Sequence, residues 1–269
     1  MVEIKPGQSI ELLKELHILT ADGKMNQDSR RKLKQVYHLY QFIEKILKDL
    51  DANSPTLNLV DHGAGKSYLG FILYDLFFKS LETKGHVYGV ETRTELVEKS
   101  KALQKKLNFQ RMSFINTSVD EARNLNAIPA HVDVVTALHA CDTATDDAIN
   151  FALDRKSKHI VLIPCCQAEV AQFLRQNKKY SLAEPLVELF RHAIHTREFG
   201  SHLTNVLRCL RLEAHGYEVT VTELVGFEHS MKNELIVASQ TGRPNKKAAE
   251  RINFLLGDFK IQELTERFN

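Results

Sequence analysis

Along residues 29–50 the apolar side chains Leu33, Val36, Tyr37, Tyr40, Ile43, Leu47 and Leu50 recur at the spacing that lines one face of a helix. A shorter helix is expected over 9–19, set off by the polar stretch 20–28. From residue 56 the rhythm changes to short apolar runs separated by amphipathic stretches, the alternation of βαβ units around a parallel sheet. Candidate strands lie at 57–61, 86–91, 112–116, 132–138 and 159–164. A longer helical region, 171–216, then leads to two β-rich runs, 217–225 and 234–239, which predict a closing antiparallel pair; the polar joint 241–247 precedes a last helix. The expected fold class is α/β, a Rossmann-like doubly wound seven-stranded sheet, mostly parallel with its last strand antiparallel. Its divisions are an N-terminal helical extension (1–54), the sheet domain (55–242) and a C-terminal helical tail (243–269).

At 269 residues and 43% apolar composition the chain can bury one full core. Its 36 basic and 34 acidic residues leave a net charge of +2, without the strong excess that marks a dedicated nucleic-acid binder. The four cysteines, Cys141, Cys165, Cys166 and Cys209, show no repeated spacing, and the opening residues do not read as a secretory leader, so a cytoplasmic location is expected. The apolar run over 69–81 is interrupted by Asp75 and Lys79, and no association with a membrane is expected. Arg30, Arg31, Lys32 and Lys34 gather at the start of the second helix, either as a solvated face or as a contact for nucleic acid.

The segment Leu59-Val-Asp-His-Gly-Ala-Gly-Lys-Ser-Tyr-Leu69 sets Gly63 and Gly65 between a strand and a helix, where backbone must turn tightly and approach a ligand. A phosphate-binding P-loop would need a small residue where Val60 stands, inside the strand. A dinucleotide fingerprint would need a third glycine where Tyr68 stands. What remains is an acid-x-Gly-x-Gly turn suited to a cofactor with a zwitterionic end: Asp61 for the ammonium, and the backbone of His62, Gly63, Ala64 and Gly65 with the helix N-terminus for the carboxylate and ribose. The second candidate strand ends on Glu91, 26 residues after Gly65, where a doubly wound fold places the carboxylate that accepts ribose hydroxyls. Ser118 and Val119, just past the third strand, would edge and stack the adenine, and Leu138, which closes the fourth, is also a candidate cofactor contact. A tight turn and an ordinary β-to-α loop are the structural alternatives.

These residues resemble a known family. Val60-Asp-His-Gly-Ala-Gly-Lys-Ser-Tyr-Leu69, Val87-Tyr-Gly-Val-Glu91, Ala137-Leu-His-Ala-Cys-Asp-Thr-Ala-Thr-Asp146, Ile163-Pro-Cys-Cys166 and Lys232-Asn-Glu-Leu-Ile-Val-Ala238 are similar to the class I methyltransferase domain shared by methyltransferase-like protein 25 and the glutathione S-transferase C-terminal domain-containing protein. Transfer-RNA 2'-O-methyltransferases are more distant relatives. The resemblance implies S-adenosylmethionine as cofactor and a methyltransferase domain over 55–242. Two positions depart from the pattern: Ser67 stands where a glycine is expected, and Gln167 where an aromatic residue or histidine would follow the paired cysteines.

On the acceptor side, His139 could orient the acceptor or remove its proton, or pack beneath the cofactor while Asp142 or Thr143 caps the helix that begins near Thr145. Methyl transfer is a displacement that depends on alignment, and no metal is expected. Cys141, Cys165 and Cys166 are candidate substrate contacts; inert packing, a nucleophilic cysteine, and zinc held with His139 are the other readings. Arg197 lies in a helical segment rich in Arg and His, which either builds the acceptor wall or forms a solvated face. The expected acceptor is large and polar, with RNA, transfer or ribosomal, placed first. A protein, a small molecule, a non-catalytic module that binds the cofactor, and a nucleotide hydrolase are the alternatives.

Overall fold

The computed structural model describes residues 3–65, 67–81, 84–138, 140, 142–164, 167–177, 186–224 and 234–269. Among them seven strands form one sheet: β1 (Asn58–His62), β2 (His86–Glu91), β3 (Met112–Asn116), β4 (Val134–Leu138), β5 (His159–Ile163), β6 (Tyr217–Glu223) and β7 (Glu234–Gln240). Their order is β3-β2-β1-β4-β5-β7-β6, and β7 runs antiparallel to both neighbours while the other pairings are parallel. The chain reverses direction across the sheet between β1 and β4, so the carboxyl ends of those strands open a crevice where such folds hold ligands.

The helices are α1 (Ile10–Glu15), α2 (Gln27–Asn53), α3 (Tyr68–Leu76), α4 (Thr94–Lys106), α5 (Val119–Ala122), α6 (Thr143–Asp154), α7 (Glu169–Gln176), α8 (Ala193–Ala214), α9 (Lys246–Asp258) and α10 (Thr265–Phe268). Side chains alternate across the strands, so both faces of the sheet are apolar and both are covered. Leu59, Val87, Val134 and Val161 face a layer built by α1 to α4, whereas Val60, Val90, Val135 and Ile160 face α5, α6 and the inner side of α8. A third cluster joins α7, the outer side of α8, α9 and α10. The 171–216 helical region expected from sequence is divided: α7 ends at Gln176, and a short 3-10 turn at Leu186–Phe190 precedes α8.

Local chemistry fixes the helix starts. Ser9 accepts from the Leu12 N–H, Asn26 from Ser29 at 2.8 Å and Asn245 from Ala248, each satisfying a donor that the first helical turn leaves open. The N-terminal helices do more than extend the chain. The stripe Leu33, Val36, Tyr40, Ile43, Leu47 and Leu50 is buried against the sheet layer. The Ser9 N–H donates to Asp75 of α3 at 2.8 Å, tying the first helix down beside it.

Candidate functional site

Asp61, near the end of β1, is 2% exposed and accepts from the Thr136 hydroxyl at 2.7 Å. Burial pushes its carboxyl up to about 7, against hydrogen bonds from Thr136 and the Gly70 N–H that favour the ionised form. His62 points to the other face of the strand. Its ring is fully buried, lies 4.5 Å from the Phe151 ring, and has neither nitrogen hydrogen-bonded; burial pushes its pKa down to about 3, so it stays neutral.

The chain then turns through Gly63 (φ 62°) and Gly65 (φ 58°), in the left-handed region that favours glycine. A Cβ on Gly63 would also stand 3.3 Å from Ala140, so the turn is held close to the end of β4. Ser67 adopts the same kind of backbone, φ 51° and ψ 37°, with its hydroxyl buried and unpartnered. The glycine expected there from the family pattern is thus a conformational requirement that this chain meets with serine.

Two hydrogen bonds fasten the loop to β2: the Ala64 N–H donates to the Val90 carbonyl at 3.0 Å, and the Gly65 N–H to Glu91 Oε2 at 2.7 Å. Glu91 is 6% exposed. Burial alone would raise its pKa, but the Arg93 side chain and the backbone N–H groups of Arg93 and Gly65 outweigh it and hold the carboxyl at about 2. Arg93 donates from its backbone at 3.0 Å, from Nε at 2.9 Å and from Nη2 at 3.2 Å. Both Glu91 oxygens are therefore engaged, and a ribose would have to displace the guanidinium.

Asp61, Gly63, Ala64, Gly65 and Leu138 border one cavity of about 480 Å³, within the range of small-molecule sites. Its opposite wall comes from the N-terminal helices and α3: Leu16, Lys32, Gln35, Val36, Leu39, Tyr68, Leu69 and Ile72. Arg93 completes the lining. The sequence reading missed Arg93, although its place two residues past Glu91 was a usable signal. It also missed the α2 wall, for which no local signal exists.

Ser118 and Val119 do not border this cavity. The Ser118 hydroxyl accepts from the Glu121 N–H while Glu121 accepts from the Ser118 N–H, a reciprocal cap on α5, and Val119 is packed in the core. Arg197 on α8 pairs with Glu198 at 2.9 Å and borders neither this cavity nor the groove beside α8. His139, Cys141, Cys165 and Cys166 lie outside the described residues. A cap on α6 by Asp142 or Thr143 was one of the alternatives; Asp142 does stand at the N-cap position, but its side chain makes no capping bond and accepts instead from the Ala168 and Glu169 N–H groups at the start of α7. Among the described residues no group of His, Cys, Asp and Glu is arranged to hold a metal, and no helix is long and apolar enough to cross a membrane.

A sequence profile for a methyltransferase domain matches residues 31–173, more than half of the chain, and its match begins inside α2. The chain belongs to this methyltransferase domain family. It is an S-adenosylmethionine-dependent methyltransferase. Solved structures share the fold. A putative O-methyltransferase from Klebsiella pneumoniae is 11% identical, with 89% of this chain and 92% of that one aligned at a TM-score of 0.50. A Podospora anserina methyltransferase bound to S-adenosylhomocysteine is 12% identical over 88% and 89%, TM-score 0.48. Magnesium protoporphyrin IX methyltransferase from Synechocystis is 13% identical over 87% and 96%, TM-score 0.47. No curated protein matches the sequence.

Proposed function

We propose that S-adenosylmethionine lies across the carboxyl ends of β1 and β2 and that the acceptor approaches along the same edge from the β4 and β5 side. The observation that supports this is the single cavity bringing Asp61, Gly63, Ala64, Gly65 and Leu138 together, with Glu91 one hydrogen bond away from Gly65. When bound, the cofactor supplies an electrophilic methyl on sulfonium. The chain's part is to bind and align: Glu91 accepts from the ribose hydroxyls after Arg93 withdraws, the glycine backbone leaves room for the amino-acid end, and Asp61 faces its ammonium. His62 contributes its backbone only. Ser118 and Val119 stand at the adenine end of the proposed site, beyond the cavity. In this arrangement residues 1–54 act as a roof over the cofactor, 55–242 as the catalytic domain, and 243–269 as a brace on α8.

For the acceptor, RNA rests on basic residues. Several of these have partners inside the molecule: Arg31 and Lys32 pair with Asp28 at 2.9 and 2.7 Å, and Arg208 and Arg211 are buried. Arg30 and Lys34, exposed on α2, are what supports an RNA contact.

Calorimetric titration of the protein with S-adenosylmethionine, S-adenosylhomocysteine and ATP, one at a time, tests the cofactor site. Binding of the first two and not of ATP is expected. Binding of ATP alone would overturn the proposal.

A further inference from the structure

Glu91 is fully engaged by the chain's own donors. Its Oε1 accepts from the Arg93 N–H at 3.0 Å, from Arg93 Nε at 2.9 Å and from the Thr92 hydroxyl at 3.3 Å; its Oε2 accepts from the Gly65 N–H at 2.7 Å and from Arg93 Nη2 at 3.2 Å. A carboxylate offers about four lone-pair sites, so these donors leave none open. The two backbone donors belong to the glycine turn and to the start of α4, and they stay where the fold puts them. The guanidinium differs. It is 61% exposed, and its fork reaches across both oxygens with one N–H to each, the placing that two neighbouring ribose hydroxyls would take.

Displacing that fork moves a positive charge without removing one. Arg93 borders the same cavity as Lys32 of α2, and the exposed Arg30 and Lys34 lie within one turn of Lys32 on that helix. With Glu91 as its partner the guanidinium is neutralised. With ribose hydroxyls on Glu91 it stands at the mouth of the cavity with its donors open. The other carboxylate whose charge acts on Arg93 is Glu95, exposed in the first turn of α4, where the helix N-terminus already favours its charge.

We infer that Arg93 couples the two ligands: it occupies the ribose site of the empty protein and, once displaced from Glu91, binds a backbone phosphate of an RNA acceptor, so that cofactor and RNA each tighten the other. A planar fork meets a phosphate as it meets a carboxylate, through two parallel N–H donors. In the sheet β2 lies two strands from β4, about 10 Å away. An acceptor whose reacting atom enters on the β4 and β5 side therefore reaches Arg93 only if it extends across the edge, as a nucleotide chain does and a small molecule does not. The coupling rests on the proposed function, both for ribose on Glu91 and for RNA as acceptor.

The test is fluorescence anisotropy of a short labelled single-stranded RNA of mixed sequence, titrated with wild-type protein and with Arg93→Met at several salt concentrations, with and without saturating S-adenosylhomocysteine. That ligand carries no net charge, so a gain in RNA affinity comes from the protein. On wild type it is expected to tighten RNA about threefold at low salt. The fall of log affinity with log salt is expected to steepen by roughly 0.7, the counterion share of one further phosphate contact on a single strand. Arg93→Met is expected to show neither change and, by calorimetry, to bind S-adenosylhomocysteine roughly threefold more tightly than wild type, since no fork has to leave Glu91. Linkage requires RNA to tighten S-adenosylhomocysteine on wild type by the same factor. RNA affinity and slope that do not change while S-adenosylhomocysteine binds, as capture of the guanidinium by Glu95 would give, overturn the coupling and leave the cofactor site standing; so does an Arg93→Met that couples as wild type does. A gain for a glutamate-rich peptide and none for RNA overturns the assignment to RNA. Wild-type protein that does not bind S-adenosylhomocysteine overturns the cofactor site and the coupling with it, and RNA that binds in neither state overturns the RNA acceptor and the coupling.

Discussion

Around β1 and β2 the ionisable groups sit close together in sequence. Asp61, the glycine turn, Glu91 and Arg93 come from two consecutive strand ends, and an apolar roof of Leu16, Val36 and Leu39 faces them. Around β5, β7 and β6 the groups come from far apart. Asp146 on α6, Gln167 before α7, Asn205 and Arg208 on α8 and Glu234 on β7 meet only in the folded chain. At the first region Glu91 is held by backbone N–H groups and by the exposed guanidinium of Arg93, and the guanidinium is the contact that a ligand would replace. At the second, an ion pair 0% and 2% exposed is locked in place and fixes the orientation of the neutral amides Asn205 and Gln167. One region has a cavity beside its charged groups, and the other is a buried network that holds α6 and α8 together.

Breaking the rigid region should have the larger effect. Arg208→Ala leaves Asp146 buried without its partner and is expected to cost about 3–5 kcal/mol of folding stability, read from urea unfolding. A loss under 1 kcal/mol would mean that the ion pair does not organise α8. At the exchangeable region, Glu91→Ala should leave the fold intact and weaken S-adenosylmethionine by about 1.5–3 kcal/mol, measured by calorimetry, since a charged acceptor of hydroxyl hydrogen bonds is removed. Equal affinity in the folded variant would remove Glu91 from the site.

The pH dependence of binding sharpens the contrast further. Asp61 has its carboxyl raised to about 7, so in the empty protein it is protonated below that value. An ammonium beside it favours the ionised form, and binding then releases a proton. Cofactor affinity should rise about fivefold between about pH 6 and about pH 7, and Asp61→Asn should flatten that rise. The same raised pKa means that folding of the empty protein loses stability from this group as pH rises from the ordinary carboxylate range toward 7, because the folded state then binds more protons than the unfolded one. A cofactor affinity that falls over the interval would show that Asp61 does not face the ammonium.

Ser67→Gly is the mildest change. It relieves a left-handed serine and an unpartnered buried hydroxyl, and is expected to raise stability by about 1 kcal/mol, seen as a higher melting temperature. A destabilised variant would show that the hydroxyl has a partner in the working protein.

The strands were legible because a sheet covered on both faces needs continuous apolar runs, which Val87 to Val90 and Ile160 to Ile163 supply, and because glycine and polar breaks bound them. The glycine turn and Glu91 were legible for a related reason: a left-handed turn after β1 and a carboxylate closing β2 are local demands on residue type at a fixed spacing. Ser118 marked a true boundary, the start of α5, but its hydroxyl serves the helix cap. His62 shared the motif with Asp61, and strand alternation sent its ring to the opposite face.

By itself, then, the sequence determined the order of elements, the layered fold and the glycine turn after β1, since each depends on neighbours a few residues apart. Tertiary structure alone decided that Val36 and Leu39 of α2 would roof the cavity, that Arg93 would hold Glu91, and that Arg208 would lie buried rather than meet solvent. The physical reason is that burial and hydrogen-bond direction belong to the surroundings of a side chain. Those surroundings come from segments scores of residues away, as when Arg208 of α8 pairs with Asp146 of α6 and sets the amide of Asn205, and Asn205 in turn sets the amide of Gln167.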